Sequence, residues 1–192
     1  MLCTSDAIVL SLQPYSDKAR ILHAYTRTGG RVNYKVYGLG KRHAVGLYTP
    51  LSLLQITADF PVSGLPTVRE VSVLAQQQAN ANQSIYKQTI RLFIAEVLYH
   101  VLRHPMADEP MWDYIAESIQ ALERSDTPEN FHLEFLIGLA AKLGFAMEHQ
   151  PAMPTTRTER QKVLRALCAY FEEYVETWQT PKSLDILIEV FD

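Results

Sequence analysis

The sequence predicts a two-domain β + α chain, a small five-stranded barrel followed by an all-helical half, and two observations carry this. Up to about residue 75, apolar residues recur with period two in short runs closed by Pro and Gly. Beyond Gln76 the apolar period becomes 3.6. Charge divides at the same place. Residues 1–75 hold eight basic and four acidic residues, net +4, and the remainder holds ten basic and seventeen acidic, net −7, for an overall −3. A basic module on an acidic body is what an anion-binding domain on a carrier would look like. The expected division is a barrel over 1–78 and a helical domain over 79–192.

In chain order, Ala7–Gln13 is a Val/Ile/Leu-rich strand ended by Pro14, and Ile21–Tyr25 is a second. Gly29-Gly30 is a hairpin signal, because glycine takes positive φ without steric cost. The strand that follows, Arg31–Tyr37, alternates. Val32, Tyr34 and Val36 point one way, and Arg31, Asn33, Lys35 and Tyr37 point the other. Gly38 to Pro50 reads as a loop. Ser52–Phe60 alternates again, with Leu54, Ile56, Ala58 and Phe60 on one side. After the turn at Pro61, Gly64 and Pro66, Val68–Leu74 is the fifth strand. Five short strands at this spacing suggest a small closed or partly open barrel, and a five-stranded barrel that binds oligonucleotides describes an OB-fold.

In the second half, Ile90, Phe93, Ile94, Val97, Leu98, Val101 and Leu102 trace one helix face, ended by Pro105. Met111–Leu122 repeats the pattern. Asp126-Thr127-Pro128 opens a third helix that Gly144 stops. A long helix carries Val163, Leu167, Tyr170, Tyr174 and Trp178 up to Pro181. Ser183 is then expected to cap a last short helix containing Leu184 and Leu187.

Composition bounds the function. At 47% hydrophobic and 20% charged, the chain has a soluble globular composition. It has no apolar run of about 18 residues and no basic leader at its start, so a cytoplasmic location is expected. Two cysteines, Cys3 and Cys168, are too few for a four-cysteine zinc site and are expected to be small buried hydrophobes. Gly38-Leu39-Gly40-Lys41 lacks the spacing and the Ser/Thr of a nucleotide-hydrolysing phosphate loop. His100 and His104 fall four apart, but without a third ligand they read as a helix-end pair rather than a metal site. No Gly-x-Ser-x-Gly, Cys–His pair or carboxylate pair is recognisable, so no enzyme and no cofactor is expected.

The basic strand face is the strongest functional signal. Cations neutralise phosphates and release counterions, and aromatic rings stack bases. A solvated face that is incidentally basic has the same pattern. On the binding reading, Arg31, Lys35, Lys41 and Arg42 contact phosphates, Arg27 joins them beside the hairpin tip, and Tyr37 stacks a base. Tyr34 belongs to the core, and Lys18 and Arg20 are lesser candidates.

Several segments also carry a family resemblance. Asp6-Ala7-Ile8-Val9-Leu10, Tyr15-Ser16-Asp17-Lys18, Tyr25-Thr26 and Gly30-Arg31 resemble the opening of the bacterial recombination mediator family RecO. Pro50–Leu54 and Glu70-Val71 continue it. Phe93–Tyr99, Asn130–Leu133, Phe135-Leu136, Leu143-Gly144-Phe145 and Lys182-Ser183-Leu184 extend it through the helical half in order.

The resemblance implies an OB-fold with a helical carboxy-terminal domain and a role in DNA repair without ATP or covalent chemistry. That role comprises binding single- and double-stranded DNA, annealing complementary strands, and loading recombinase onto DNA coated by single-stranded-DNA-binding protein. The implied partners are that protein's acidic, Phe-ending tail and the mediator RecR, and the implied location is cytoplasmic and nucleoid-associated. Many members carry a four-cysteine zinc module after the Leu-Gly-Phe segment. Here Ala146–Glu159 holds no cysteine, so zinc is not expected. An apolar hollow rimmed by Arg or Lys would suit the tail, and Arg91, Arg103, Lys142 and Arg165 are the rim charges on offer. The competing expectation is a repair scaffold that contacts proteins and has little DNA affinity.

Overall fold

The computed structural model describes residues 1–38, 46–74 and 84–191. The expected contacts Lys41 and Arg42, and the expected boundary at 78/79, lie outside them. The chain divides into two compact units. One is Met1–Ala81 with Leu102–Glu117, and the other is Asn82–Val101 with Ser118–Asp192.

The first unit is built on strands β1 (Leu2–Pro14), β2 (Ala19–Thr26), β3 (Gly30–Tyr37), β4 (Leu53–Asp59) and β5 (Thr67–Val73). They close into a barrel in the order β1-β2-β3-β5-β4, the five-stranded OB-fold arrangement expected from the periodicity. All neighbours are antiparallel except β3 and β5, which meet in parallel at Lys35 and Thr67. The backbone N–H of Lys35 donates to the carbonyl of Pro66 at 2.7 Å.

Strand β1 begins at Leu2 rather than Ala7, because it serves two neighbours. Leu2–Ile8 pairs with β4 and Ala7–Pro14 with β2, with an irregularity between Val9 and Ser11 that bends the strand around the barrel. Val9, Leu22, Tyr34, Val36, Leu54 and Ile56 fill the interior. Each such side chain contributes roughly 1.5–3 kcal/mol of burial. Tyr34 is core, as the alternation requires, and meets Phe60 edge to face at 6.2 Å. Cys3 departs from expectation. It is only half-buried, near the start of β1 opposite Ala58, whereas Cys168 is buried.

The helices are α1 (Ile85–Val101), α2 (Glu109–Arg124), α3 (Phe131–Lys142), α4 (Arg157–Tyr174) and α5 (Leu184–Val190), with a 3-10 turn at Pro128–Asn130. The division between the units falls inside α2, after Glu117. In the second unit, Phe93, Leu98, Leu122, Leu136, Leu139 and Phe171 are buried among the apolar stripes. Thr156 and Glu159 form a reciprocal capping box at the start of α4. Gly144, at φ +92°, ends the segment after α3, with the N–H of Phe145 donating to the Ala140 carbonyl at 3.0 Å.

Four details differ from the sequence reading. Helix α1 stops at Val101, so His104 does not share a face with His100. Pro105 disfavours the helical conformation in the residue before it. Helix α4 ends at Tyr174, and Trp178 lies beyond it, packed against Phe171 at 5.2 Å. Ser183 occupies the N-cap position of α5 but makes no capping bond. Its hydroxyl and its N–H both donate to Glu96 Oε2, at 2.7 and 2.9 Å. Arg91 is no rim charge, because it is only 5% exposed and is ion-paired with Glu123.

On α3, His132 is buried, 1% exposed, and its ring lies 6.2 Å from that of Phe93 and 5.8 Å from that of Phe191. Its Nδ1 meets no hydrogen-bond partner among the described residues. Burial, reinforced by the charge of Arg160, holds its pKa down at about 3, so the ring is neutral.

Candidate nucleic-acid interface

The outward row of β3 is Arg31, Asn33, Lys35 and Tyr37. Across the ladder, Tyr25, His23, Ile21 and Ala19 of β2 stand directly opposite them. This is the basic face that the alternation placed outside. The structure divides it into two ends with different electrostatics.

At the hairpin end, the segment Leu102–Glu117 of the same unit lies against the strands. The Arg31 N–H donates to the His104 carbonyl at 3.0 Å, and its guanidinium Nη1 to the Leu102 carbonyl at 3.3 Å. Arg27 donates twice to Glu109 Oε1, from Nη2 at 2.6 Å and Nε at 3.1 Å, and lies 3.3 Å from Asp113. Its guanidinium sits 5.1 Å from the centre of the Trp112 ring. The hydrogen bond to Glu109 is the main cause raising its pKa. Tyr25 is pushed up to about 12 by burial and by the charge of Asp108. Gly30, at φ +61°, is required here, since the backbone of His104 and Met106 occupies the space a Cβ would need. In the middle of the face, His23 Nδ1 and Asn33 Oδ1 are 2.7 Å apart. Burial lowers the pKa of His23, against the raising effect of that bond.

The far end is open. Tyr37 is 54% exposed and Tyr15 is 59% exposed. Lys35 Nζ lies 5.4 Å from the centre of the Tyr15 ring. The β1–β2 turn is held by the N–H groups of Tyr15 and Ser16, which both donate to the Ala19 carbonyl at 3.1 and 3.0 Å. Between this turn and the end of β3 is a concavity of about 580 Å³, lined among others by Asp17, Lys18, Arg20, Val36 and Tyr37. Neither Lys18 nor Arg20 forms an ion pair with another described residue. The structure thus brings Tyr37 together with Lys18 and Arg20, sets Lys35 over Tyr15, and keeps Arg27 and Arg31 apart among internal partners.

Residues 1–77 match the family described as Recombination protein O N terminal, and residues 82–150 match Recombination protein O C terminal. The chain belongs to the RecO family. It is 37% identical over 157 residues to the DNA repair protein RecO of Porphyromonas gingivalis, a match that covers 78% of this chain and 64% of that protein. The RecO of Phocaeicola vulgatus is 34% identical over 149 residues, covering 75% of this chain and 61% of the relative. The RecO of Christiangramia forsetii is 26% identical, with both chains covered in full. The chain thus spans a little under two thirds of the length of the first two relatives.

Sequence reasoning passed over Tyr15 and ranked Lys18 and Arg20 low. The available signal was positional: Tyr15 and Lys18 belong to the β1–β2 turn and Arg20 to the start of β2, and in OB barrels that loop flanks the ligand-binding strands.

The helical unit of this RecO-family chain offers a separate hollow of about 440 Å³. It is lined by Met147, Pro151, Val163, Leu167 and Tyr170, with Lys162 and His149 as its polar members. Tyr170 also donates to the Phe145 carbonyl at 3.0 Å and packs against Tyr174 at 4.6 Å.

Proposed function

We propose that this chain works in DNA repair and recombination as a mediator without catalytic activity. It binds single- and double-stranded DNA through its barrel, anneals complementary strands and assists recombinase loading onto DNA coated by single-stranded-DNA-binding protein. The observation that carries the reading is the open end of the barrel strands, where Lys18 and Arg20 share a concavity with the exposed Tyr37 and Lys35 lies over the exposed ring of Tyr15. Cations there neutralise the backbone while rings take bases, giving binding that tolerates sequence and weakens with salt. Lys41 and Arg42 extend the basic run in sequence and belong to the same proposal. Arg27 and Arg31 were candidates too, but their internal partners make them the weaker contributors.

Partner binding falls to the helical unit. An acidic, Phe-ending tail calls for an apolar hollow with a cation at its rim, and the hollow lined by Tyr170, Leu167 and Lys162 has that character. RecR is the second proposed partner. Such a protein acts in the cytoplasm at the nucleoid.

The second reading is a protein-binding scaffold with little DNA affinity. It is favoured by the net charge of −3 and by the internal pairing of Arg27.

Fluorescence polarisation of a labelled single-stranded oligonucleotide at two salt concentrations separates the readings. Micromolar binding that falls steeply with salt supports the mediator. Absence of binding at low salt removes it in favour of the scaffold. Charge reversal of Lys41 and Arg42 decides their place, because unchanged affinity at moderate salt takes them out of the site.

A further inference from the structure

We infer that a small cavity in the second unit, where α3, the first turn of α4 and α5 meet, is a binding site for a single halide ion held by Arg157, Arg160 and His132. The site is separate from the barrel and does not depend on the DNA-binding reading.

Size selects the ligand first. The cavity is lined by His132 of α3, by Arg157, Arg160 and Gln161 of α4, and by apolar side chains that include Leu164 and Leu187. It leaves about 10 Å³ for the centre of a water-sized particle, which is room for about one. A phosphate, a sulfate or a carboxylate brings several heavy atoms and does not enter. A water or a halide does.

The lining then favours the halide. Arg160 donates from Nε to Asn130 Oδ1 at 2.9 Å, and its guanidinium lies 5.8 Å from the centre of the Phe191 ring. That leaves the guanidinium further N–H groups to donate and no acceptor. Among the described residues, no carboxylate lines the cavity or pairs with Arg160. His132 is 1% exposed, and its Nδ1 meets no partner among the described residues. A buried polar atom left in this way calls for an occupant beside it. Water needs acceptors for its own two hydrogens, and two guanidinium groups supply none. A halide only accepts, and the neutral ring donates to it in the tautomer that carries the proton on Nδ1.

The helix adds a third argument. Arg157 and Arg160 stand three apart in the first turn of α4. Like charges at that spacing repel, and a helix N-terminus carries positive partial charge that disfavours cations. Glu159, the acidic residue of that turn, is engaged in the capping box, where its Oε2 accepts the Thr156 N–H at 3.3 Å. The turn thus gathers two cations at the end of the helix that favours an anion. The charge of Arg160 also helps to keep the His132 ring neutral.

The test uses the full chain, with sodium chloride and sodium gluconate compared at equal ionic strength and fixed pH. Chloride is expected to raise the thermal unfolding midpoint saturably, by roughly 3–6 °C at a tenfold excess over its dissociation constant. Gluconate, too large for the cavity, gives no such rise. The His132 ring resonances are expected to move with chloride and not with gluconate. Arg160→Gln is expected to weaken chloride binding by at least about tenfold, the loss of one hydrogen bond from a charged group. Should that variant not fold, Arg157→Gln repeats the test at an exposed position, with an expected weakening of roughly two- to fivefold. Arg124→Gln removes an exposed cation of the same unit outside the cavity and should leave the chloride effect unchanged. Equal midpoints in the two salts overturn the site. So does a chloride effect that survives Arg160→Gln undiminished, or that falls equally in Arg124→Gln. A crystal soaked in bromide decides directly: an anomalous peak within hydrogen-bond reach of Arg160 supports the site, and water there without bromide overturns it.

Discussion

The backbone carbonyl of Met106 occupies the position where a side chain on Gly30 would begin. A Cβ there would also lie 2.6 Å from the His104 carbonyl and 2.7 Å from the Met106 N–H. The second position of the Gly-Gly turn is thus fixed twice, by a left-handed φ of +61° and by a backbone pressed against it. Neither neighbour is a flexible side-chain tip that could swing aside. Gly30→Ala should destabilise the protein by about 2 kcal/mol or more, combining left-handed strain and overpacking. Urea denaturation reads this directly, and a midpoint within error of wild type would show that the segment yields. Gly29→Ala, whose nearest contact is the Thr26 hydroxyl at 3.2 Å, should cost clearly less.

Arg27 lies between two carboxylates and an indole, yet it is partly exposed. Exposed pairs contribute little to stability, so Arg27→Ala should leave the urea midpoint close to that of wild type. Its charge is already matched internally, so DNA affinity should change by less than about twofold, whereas loss of a phosphate contact also lowers the salt slope by roughly one unit. Lys35→Ala should show that lower slope. A large loss of affinity in Arg27→Ala would mean that the pairs open for the ligand.

His132 makes stability depend on pH. Its folded pKa is held at about 3, against 6.5 for the free group. The unfolded chain therefore binds the extra proton between those values. Stability is unaffected above pH 6.5, then falls as pH drops through the window toward 3, by on the order of several kcal/mol at its acid end. Replacing the ring by an uncharged one, His132→Phe, should flatten the slope of stability against pH in that window. An unchanged slope would assign the acid sensitivity to other groups.

The Glu96 carboxylate receives both the hydroxyl and the N–H of Ser183, which is buried. Ser183→Ala should cost about 1.5–3 kcal/mol, the range for a hydrogen bond to a charged group. If the effect is local to α5, limited proteolysis should cut near Leu184–Val190 sooner in the variant. Equal cleavage rates would place the role of the bond elsewhere.

Much of the barrel was legible because it follows from short-range rules. Period-two alternation put Tyr34 and Val36 inside and Lys35 and Tyr37 outside. Gly29-Gly30 announced the β2–β3 turn. The uneven fate of the basic face was not legible. Glu109 and Asp113, which pair with Arg27, come more than eighty residues later and carry no local sign of where they fold. The same limit explains Ser183. A serine before a helix reads as a cap, and only the placement of Glu96 on α1 redirects its hydroxyl. Lys18 and Arg20 were visible as residues but not as neighbours of Tyr37, because that proximity depends on how β2 and β3 pair.

The barrel unit is not continuous in sequence. It takes Met1–Ala81, omits the next twenty residues, and recovers Leu102–Glu117. The recovered piece supplies Glu109, Asp113 and the carbonyl of Leu102, the groups that hold Arg27 and Arg31. A fragment truncated at the end of the strands would thus lose Asp108, Glu109, Asp113 and Glu117 against Arg103 alone, and would keep Arg27 and Arg31. It would behave as a more cationic object than the barrel within the intact chain. Polyanion affinities measured on such a fragment would overstate those of the whole protein, most of all at low ionic strength.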